Sequence, residues 1–112
     1  MRLIWDELTL ALDSLMEMRF RGTDQERRAA GALGVKVIGE LQTLWPAICS
    51  GEERNQTGAE MELTREEMRI AIDALAKARK GEADPERMEA IGALALKLFR
   101  ELRDEDNQGG EQ

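Results

Sequence analysis

Carboxylates are the residues of this sequence whose types and spacing come nearest to a chemical site. Glu86-x-x-Glu89 and Glu101-x-x-Asp104 are acid pairs at the i, i+3 spacing that places two side chains on one helix face. Oxygen ligands grouped in that way suit magnesium. Both pairs fall on one predicted helix, however, and a rise of about 1.5 Å per residue separates Glu86 from Glu101 by about 22 Å. They cannot share an ion, and the pairs read as solvated helix faces.

Other chemistry is excluded by composition. The chain has no histidine, so the commonest general base, the usual activator of a nucleophilic serine or cysteine, and the Glu-x-x-His ligands of di-iron bundles are all missing. The one cysteine, Cys49, cannot form an internal disulfide, and no basic neighbour activates it. The expectation is a protein that is not an enzyme, with no catalytic residue, no metal and no cofactor.

The formal net charge of −7 is spread unevenly. Residues 1–45 carry 6 basic and 7 acidic groups, 46–60 carry 1 and 3, and 61–112 carry 9 and 13. Acidity repels a phosphate backbone, so nucleic acid is an unfavourable partner. Against that trend, Arg19, Arg21, Arg27 and Arg28 gather around one predicted turn, with a weaker echo at Arg79, Lys80 and Arg87. They could contact a small anion or RNA, as in helical-hairpin RNA binders. The simpler expectation is that Arg19 and Arg79 complement helix C-termini and pair with Glu26 and Glu86 across the turn. No apolar run reaches the ~20 residues of a membrane span, and no signal-peptide pattern opens the chain, so a cytoplasmic location is expected.

The elements that carry these residues read as one helical hairpin present twice. A shift of 60 aligns Met1, Leu3, Glu7, Ala11, Asp13 and Leu15, among 11 identities in 30, with residues from Met61 onward. After one gap, a shift of 61 aligns Gly31, Ala32, Leu33, Lys36, Glu40 and Leu41 with Gly92 to Leu102, 6 in 12. Such self-similarity is the mark of an internal duplication. The expected division is a first hairpin at 1–45, a polar linker at 46–60, a second hairpin at 61–103 and a flexible acidic tail at 104–112.

Each copy supplies its own boundaries. Thr64 to Glu67 reads as a capping box, and Leu63 with Met68 as its hydrophobic staple. Met68, Ala71, Ile72, Leu75 and Ala78 recur at helical spacing until Gly81. Asp84-Pro85-Glu86 opens the next helix, whose predicted apolar face is Met88, Ile91, Leu94, Ala95, Leu98, Phe99 and Leu102. The first copy repeats this with Leu8, Ala11, Leu12, Leu15 and Met18, a turn at Gly22 to Asp24, then Ala30, Leu33, Gly34, Val37, Ile38 and Leu41. Pro46 predicts its end near Trp45. Gly31, Gly34 and Gly39 each cost about 1 kcal/mol against alanine inside a helix, which close approach of another helix would offset. One such hairpin is too small to stand alone, so the fold class is all-α, two antiparallel hairpins packed as one four-helix bundle. A flexible linker of this length reaches about 20 Å, enough to pair the hairpins within one chain; a homodimer of extended chains is the alternative.

Where the copies differ, the first carries the larger apolar groups. Trp5, Met16 and Phe20 stand where the second copy has Arg65, Ala76 and Lys80, and Trp45 and Ile48 lie in a segment the second copy lacks. Aromatic and methionine side chains are enriched at interface centres. These five are the candidate partner-binding residues, with plugging of the bundle ends as the competing role. The expected function is a non-catalytic, acidic protein-binding or regulatory module. The alternatives are an acidic inhibitor of a basic site on a nucleic-acid-processing protein and a hairpin RNA binder.

Overall fold

The computed structural model describes the backbone of residues 1–110 and the side chains through Asp104. Four helices form two hairpins: α1 (Trp5–Arg21) with α2 (Asp24–Cys49), and α3 (Arg65–Gly81) with α4 (Pro85–Gly110). Matching helices have equal lengths, 17 residues for α1 and α3 and 26 for α2 and α4. The hairpins meet along α1 and α3, and α2 also packs on α3. No helix of the described residues is long and apolar enough to cross a membrane.

The caps form where the sequence places them, with one addition. Thr64 accepts from Glu67 N–H at 3.1 Å while its own N–H donates to Glu67 at 2.9 Å. Thr23 makes the same box with Glu26 and caps α2. At α1 the cap position is Ile4, which has no side-chain acceptor, and only the return bond from Ile4 N–H to Glu7 is made, at 3.0 Å. Asp84 caps α4 by accepting from Glu86 N–H at 3.1 Å.

The core runs through both hairpins. Leu8, Leu15, Met68, Leu75, Ile91, Leu94 and Leu98 are fully buried, with Ala30, Leu33 and Val37 from α2. Two matched lysines tie each hairpin to the other. Lys97 of α4 donates to Glu7 at 2.9 Å and to the Arg2 carbonyl at 2.7 Å. Lys36 of α2 donates to Glu67 at 3.1 Å and to the Glu62 carbonyl. Burial of Glu67 would raise its pKa, but the Thr64 N–H and Lys36 outweigh it and hold the carboxyl below its ordinary value.

Three expectations are corrected. The helix expected to stop near Trp45 continues through Pro46 to Cys49. Proline removes one backbone donor. Because Gln42, Thr43 and Pro46 all face solvent, water can serve the carbonyl left over. Second, the stretch 46–60 is not a free polar linker: beyond the helical residues, it ends in β2 (Gly58–Glu60), which pairs antiparallel with β1 (Arg2–Ile4), an element absent from an all-α reading. The register sets Arg2 opposite Glu60 and Ile4 opposite Gly58. A two-stranded ribbon is marginal by itself; Leu3 and Met61, both buried, anchor this one in the core. Gly58 is required by close approach, since a Cβ there would lie 2.7 Å from the Leu3 carbonyl oxygen. Third, Ile38 and Phe99 lie outside the core, 38% and 52% exposed. The flexible tail expected at 104–112 is corrected as well: α4 continues through it to Gly110, and residues 111–112 lie outside the described residues.

Candidate partner-binding surface

The outward side of α2 is the feature that core packing does not account for. From Ala29 to Ser50 the sequence has two charged residues, Lys36 and Glu40, in a chain of which 35% is charged. Both are half-buried, so every exposed residue of that stretch is uncharged. Val35 is 70% exposed and Trp45 55%. At 100° per residue, Ala32, Val35, Gly39, Gln42, Thr43 and Pro46 share the outer face, and Gly31, Ile38 and Trp45 line one flank of it.

The contrast with α4 is sharp. Leu96 and Phe99 are exposed in the positions matching Val35 and Ile38. The rest of that face is charged, with Arg100, Arg103 and Asp104 standing where α2 has Gly39, Gln42 and Thr43. Gly39 has open space beside it, with nothing beyond the backbone of its own helix turn and its chain neighbours within 4 Å of where its Cβ would be. Gly34, in contrast, is buried, and a Cβ there would make an ordinary contact with Leu12 at 3.9 Å, as the Ala95 at the matching position of α4 allows.

Trp5 and Trp45 meet at the far end of this face. Their ring centroids lie 5.9 Å apart with planes tilted by 33°, inside the range of a favourable aromatic pair. Trp5 opens α1, and its N–H donates to the buried Thr57 carbonyl at 2.8 Å, which fixes the ring's base. Ile48, half-buried, follows Trp45 by less than one turn of α2.

The other candidates fall elsewhere. Phe20 is 75% exposed at the turn end of α1, about 22 Å along the helix from Trp5, and Met16 is half-buried between them. Of the five residues, Trp5, Trp45 and Ile48 make one cluster, and Met16 and Phe20 stand apart from it.

The four arginines near the first turn are occupied locally or dispersed. Arg27 donates to the Arg19 carbonyl at 2.9 Å, satisfying the last turn of α1. Arg21 lies 3.5 Å from Glu17. The Arg19 side chain passes over Gly31, as that of Arg79 passes over Gly92. Arg28 stands among Asp24, Glu26 and Glu66. The expected Arg19 to Glu26 pair is replaced, because Glu26 bonds Lys77 of the other hairpin. That bond to Lys77 first, and the Thr23 cap second, hold the Glu26 carboxyl at about 2 instead of 4.5. Glu86 does not pair with Arg79 either: Arg87 takes Glu82 at 2.9 Å and Asp13 at 3.0 Å.

Neither acid cluster nor cleft adds a competing site. Among the described residues, no group of three acidic or cysteine side chains is gathered closely enough to hold a metal ion. An open groove beside Met61 is lined by Glu40, Glu62, Glu101 and Lys36, and Lys36 is already engaged with Glu67 and the Glu62 carbonyl.

No family model, curated protein or solved structure matches this chain. The site is therefore read from its own geometry. Sequence reasoning passed over Val35, assigned Ile38 to the core and read Gly39 as a point of close helix approach, whereas Gly39 is exposed. The signal that could have found them is the run of 22 residues from Ala29 to Ser50 with two charges, too long for a helix that must also show water a polar face.

Proposed function

We propose that this protein is a small, non-catalytic protein-binding module whose working surface is the outer face of α2 together with the Trp5 and Trp45 pair. The observation that carries the reading is the uncharged exposed face from Ala32 to Cys49 on a chain of net charge −7. A solvated helix face has no need to be neutral, and α4 shows that this scaffold accepts Arg100 and Arg103 at the matching positions. An uncharged exposed face that carries Val35 and ends in an aromatic pair is suited to an interface.

The reading also holds that the module arose by duplication of one hairpin, with binding confined to the first copy. Equal helix lengths, the matched Lys36 and Lys97 ties and the 17 aligned identities support this. A reducing, cytoplasmic setting is part of the proposal; the exposed free thiol of Cys49 is compatible with it.

The test is retention of native-host proteins on the immobilised chain, compared with Val35→Glu and with Glu89→Lys, a change on the exposed surface of α4. Retained bands that vanish with Val35→Glu and persist with Glu89→Lys are expected. Equal retention by all three would refute the assignment of the surface.

A further inference from the structure

We infer that the outer face of α2 is a self-recognition surface, on which a second copy of this chain packs its own α2 antiparallel across Gly39. The inference rests on the reading of that face as the binding surface and names its occupant.

The case is one of self-complementarity about a point. Gly39 lies near the middle of the uncharged stretch, exposed, with open space at its Cβ. A twofold axis through an antiparallel helix pair brings the residue at +n on one helix opposite the residue at −n on the other. Six residues after Gly39 stands the largest exposed side chain of α2, Trp45. Seven and eight residues before it stand Ala32 and Gly31, the smallest. The offsets are about 9 Å and about 11 to 12 Å along the axis, so each Trp45 lies level with the exposed Ala32 of the other copy, next to a Gly31 already covered by its own chain's Arg19. Trp45, Ile38 and Gly31 share one flank of the helix, and the same twofold keeps like flanks on the same side of the pair. A glycine at the crossing lets the two backbones approach closely, which offsets its cost inside a helix.

Charge agrees with the same register. Arg28 lies eleven residues before Gly39, opposite Ser50 of the other copy, and the exposed Glu52 and Glu53 follow directly. Each end of the helix pair thus sets a cation against two carboxylates. Elsewhere the chain carries its net charge of −7, and the face free of charge is the one on which two such chains meet without repulsion. The second copy cannot use α4 in this way, because Arg100 occupies the position of Gly39 and would bring two guanidinium groups together at the axis.

One helix pair over about 30 Å is a small interface, so a dissociation constant in the micromolar range is expected, on the order of 10 μM. Sedimentation velocity from about 1 to about 200 μM brackets that range. The wild-type mass should rise from 12.6 kDa towards twice that value. Gly39→Arg should remain at 12.6 kDa throughout and keep its helical circular dichroism, since the matching position of α4 is already arginine. Arg28→Glu should weaken association about tenfold, and adding Glu52→Arg with Glu53→Arg should restore it.

Geometry is tested separately by oxidation. Gly39→Cys in a Cys49→Ser background should form a disulfide-linked dimer, because residue 39 of each copy sits at the axis within disulfide reach. Wild-type Cys49 should not, since the two thiols are then about 30 Å apart. A chain that stays monomeric at about 200 μM, a dimer indifferent to Gly39→Arg, or a Cys49 dimer formed in preference to the residue 39 dimer would each overturn the inference. A strict monomer that still loses host proteins through Val35→Glu would overturn self-recognition alone and leave the proposed function standing.

Discussion

Replacement of Leu75 by alanine tests whether the two hairpins are one cooperative unit. Leu75 has no exposed surface and lies in α3, the helix that packs on α1. Removing its side chain loses the transfer free energy of three carbons and leaves a cavity that rigid neighbouring helices only partly close, a cost of about 3 kcal/mol. An unfolding entropy of about 2.1 cal/mol/K per residue gives a chain of this length about 0.24 kcal/mol/K, so the midpoint should fall by about 13 °C. Both tryptophans, Trp5 and Trp45, lie in the first hairpin, whereas circular dichroism reports all four helices. Leu75→Ala should therefore lower the fluorescence midpoint as far as the circular dichroism midpoint, although the substitution is in the other hairpin. Leu15→Ala, at the matching position and equally buried, should behave alike. A fluorescence midpoint that stays at its wild-type value while helicity is lost would refute the shared core.

Further outcomes follow from single contacts. Gly58→Ala should lower stability by about 2 kcal/mol in thermal melts, because its Cβ would meet the Leu3 backbone, which cannot yield as a side chain would; an unchanged midpoint would contradict the ribbon register. Lys36→Met and Lys97→Met should each cost about 1 kcal/mol in urea titrations, a modest figure because both pairs are partly solvated. The Glu26 carboxyl, held at about 2 against 4.5, stabilises the fold above its unfolded pKa, and that contribution is lost as pH falls from 4.5 towards 2. Stability of Glu26→Gln should accordingly vary less with pH across that window, and identical pH profiles would contradict the Lys77 bond. Binding of any partner at the α2 face should tolerate added salt, whereas an acidic inhibitor would lose affinity steeply as salt rises.

The helices were legible because their signals are local. Thr64 with Glu67, Asp84 before Pro85, and apolar residues at intervals of three and four all act within one or two turns. The β1 and β2 ribbon was hidden for the opposite reason: strands of three residues carry no alternation to read, and Arg2 and Glu60 are far apart in sequence and meet only once the chain between them has folded back. Pro46 marked a lost hydrogen bond, yet whether a helix ends there depends on which face the proline occupies, and that face is exposed. Ile38 and Phe99 fit the apolar periodicity as well as any core residue does; only the direction of the neighbouring hairpin decides that they face out. The candidate surface was half visible. Trp5, Trp45 and Ile48 stood out by having no like residue in the aligned second half, but Phe20 was grouped with them because sequence comparison carries no distance along α1.

The claim that the outer face of α2 is where this protein meets its partner is tested most directly by a photo-crosslinking amino acid at Gln42 in the native host, with the same group at Glu89 of α4 as control. Both positions are exposed. Adducts from position 42 that disappear with Val35→Glu, and none from position 89, are the predicted result. Adducts from position 89 with none from position 42 would contradict it.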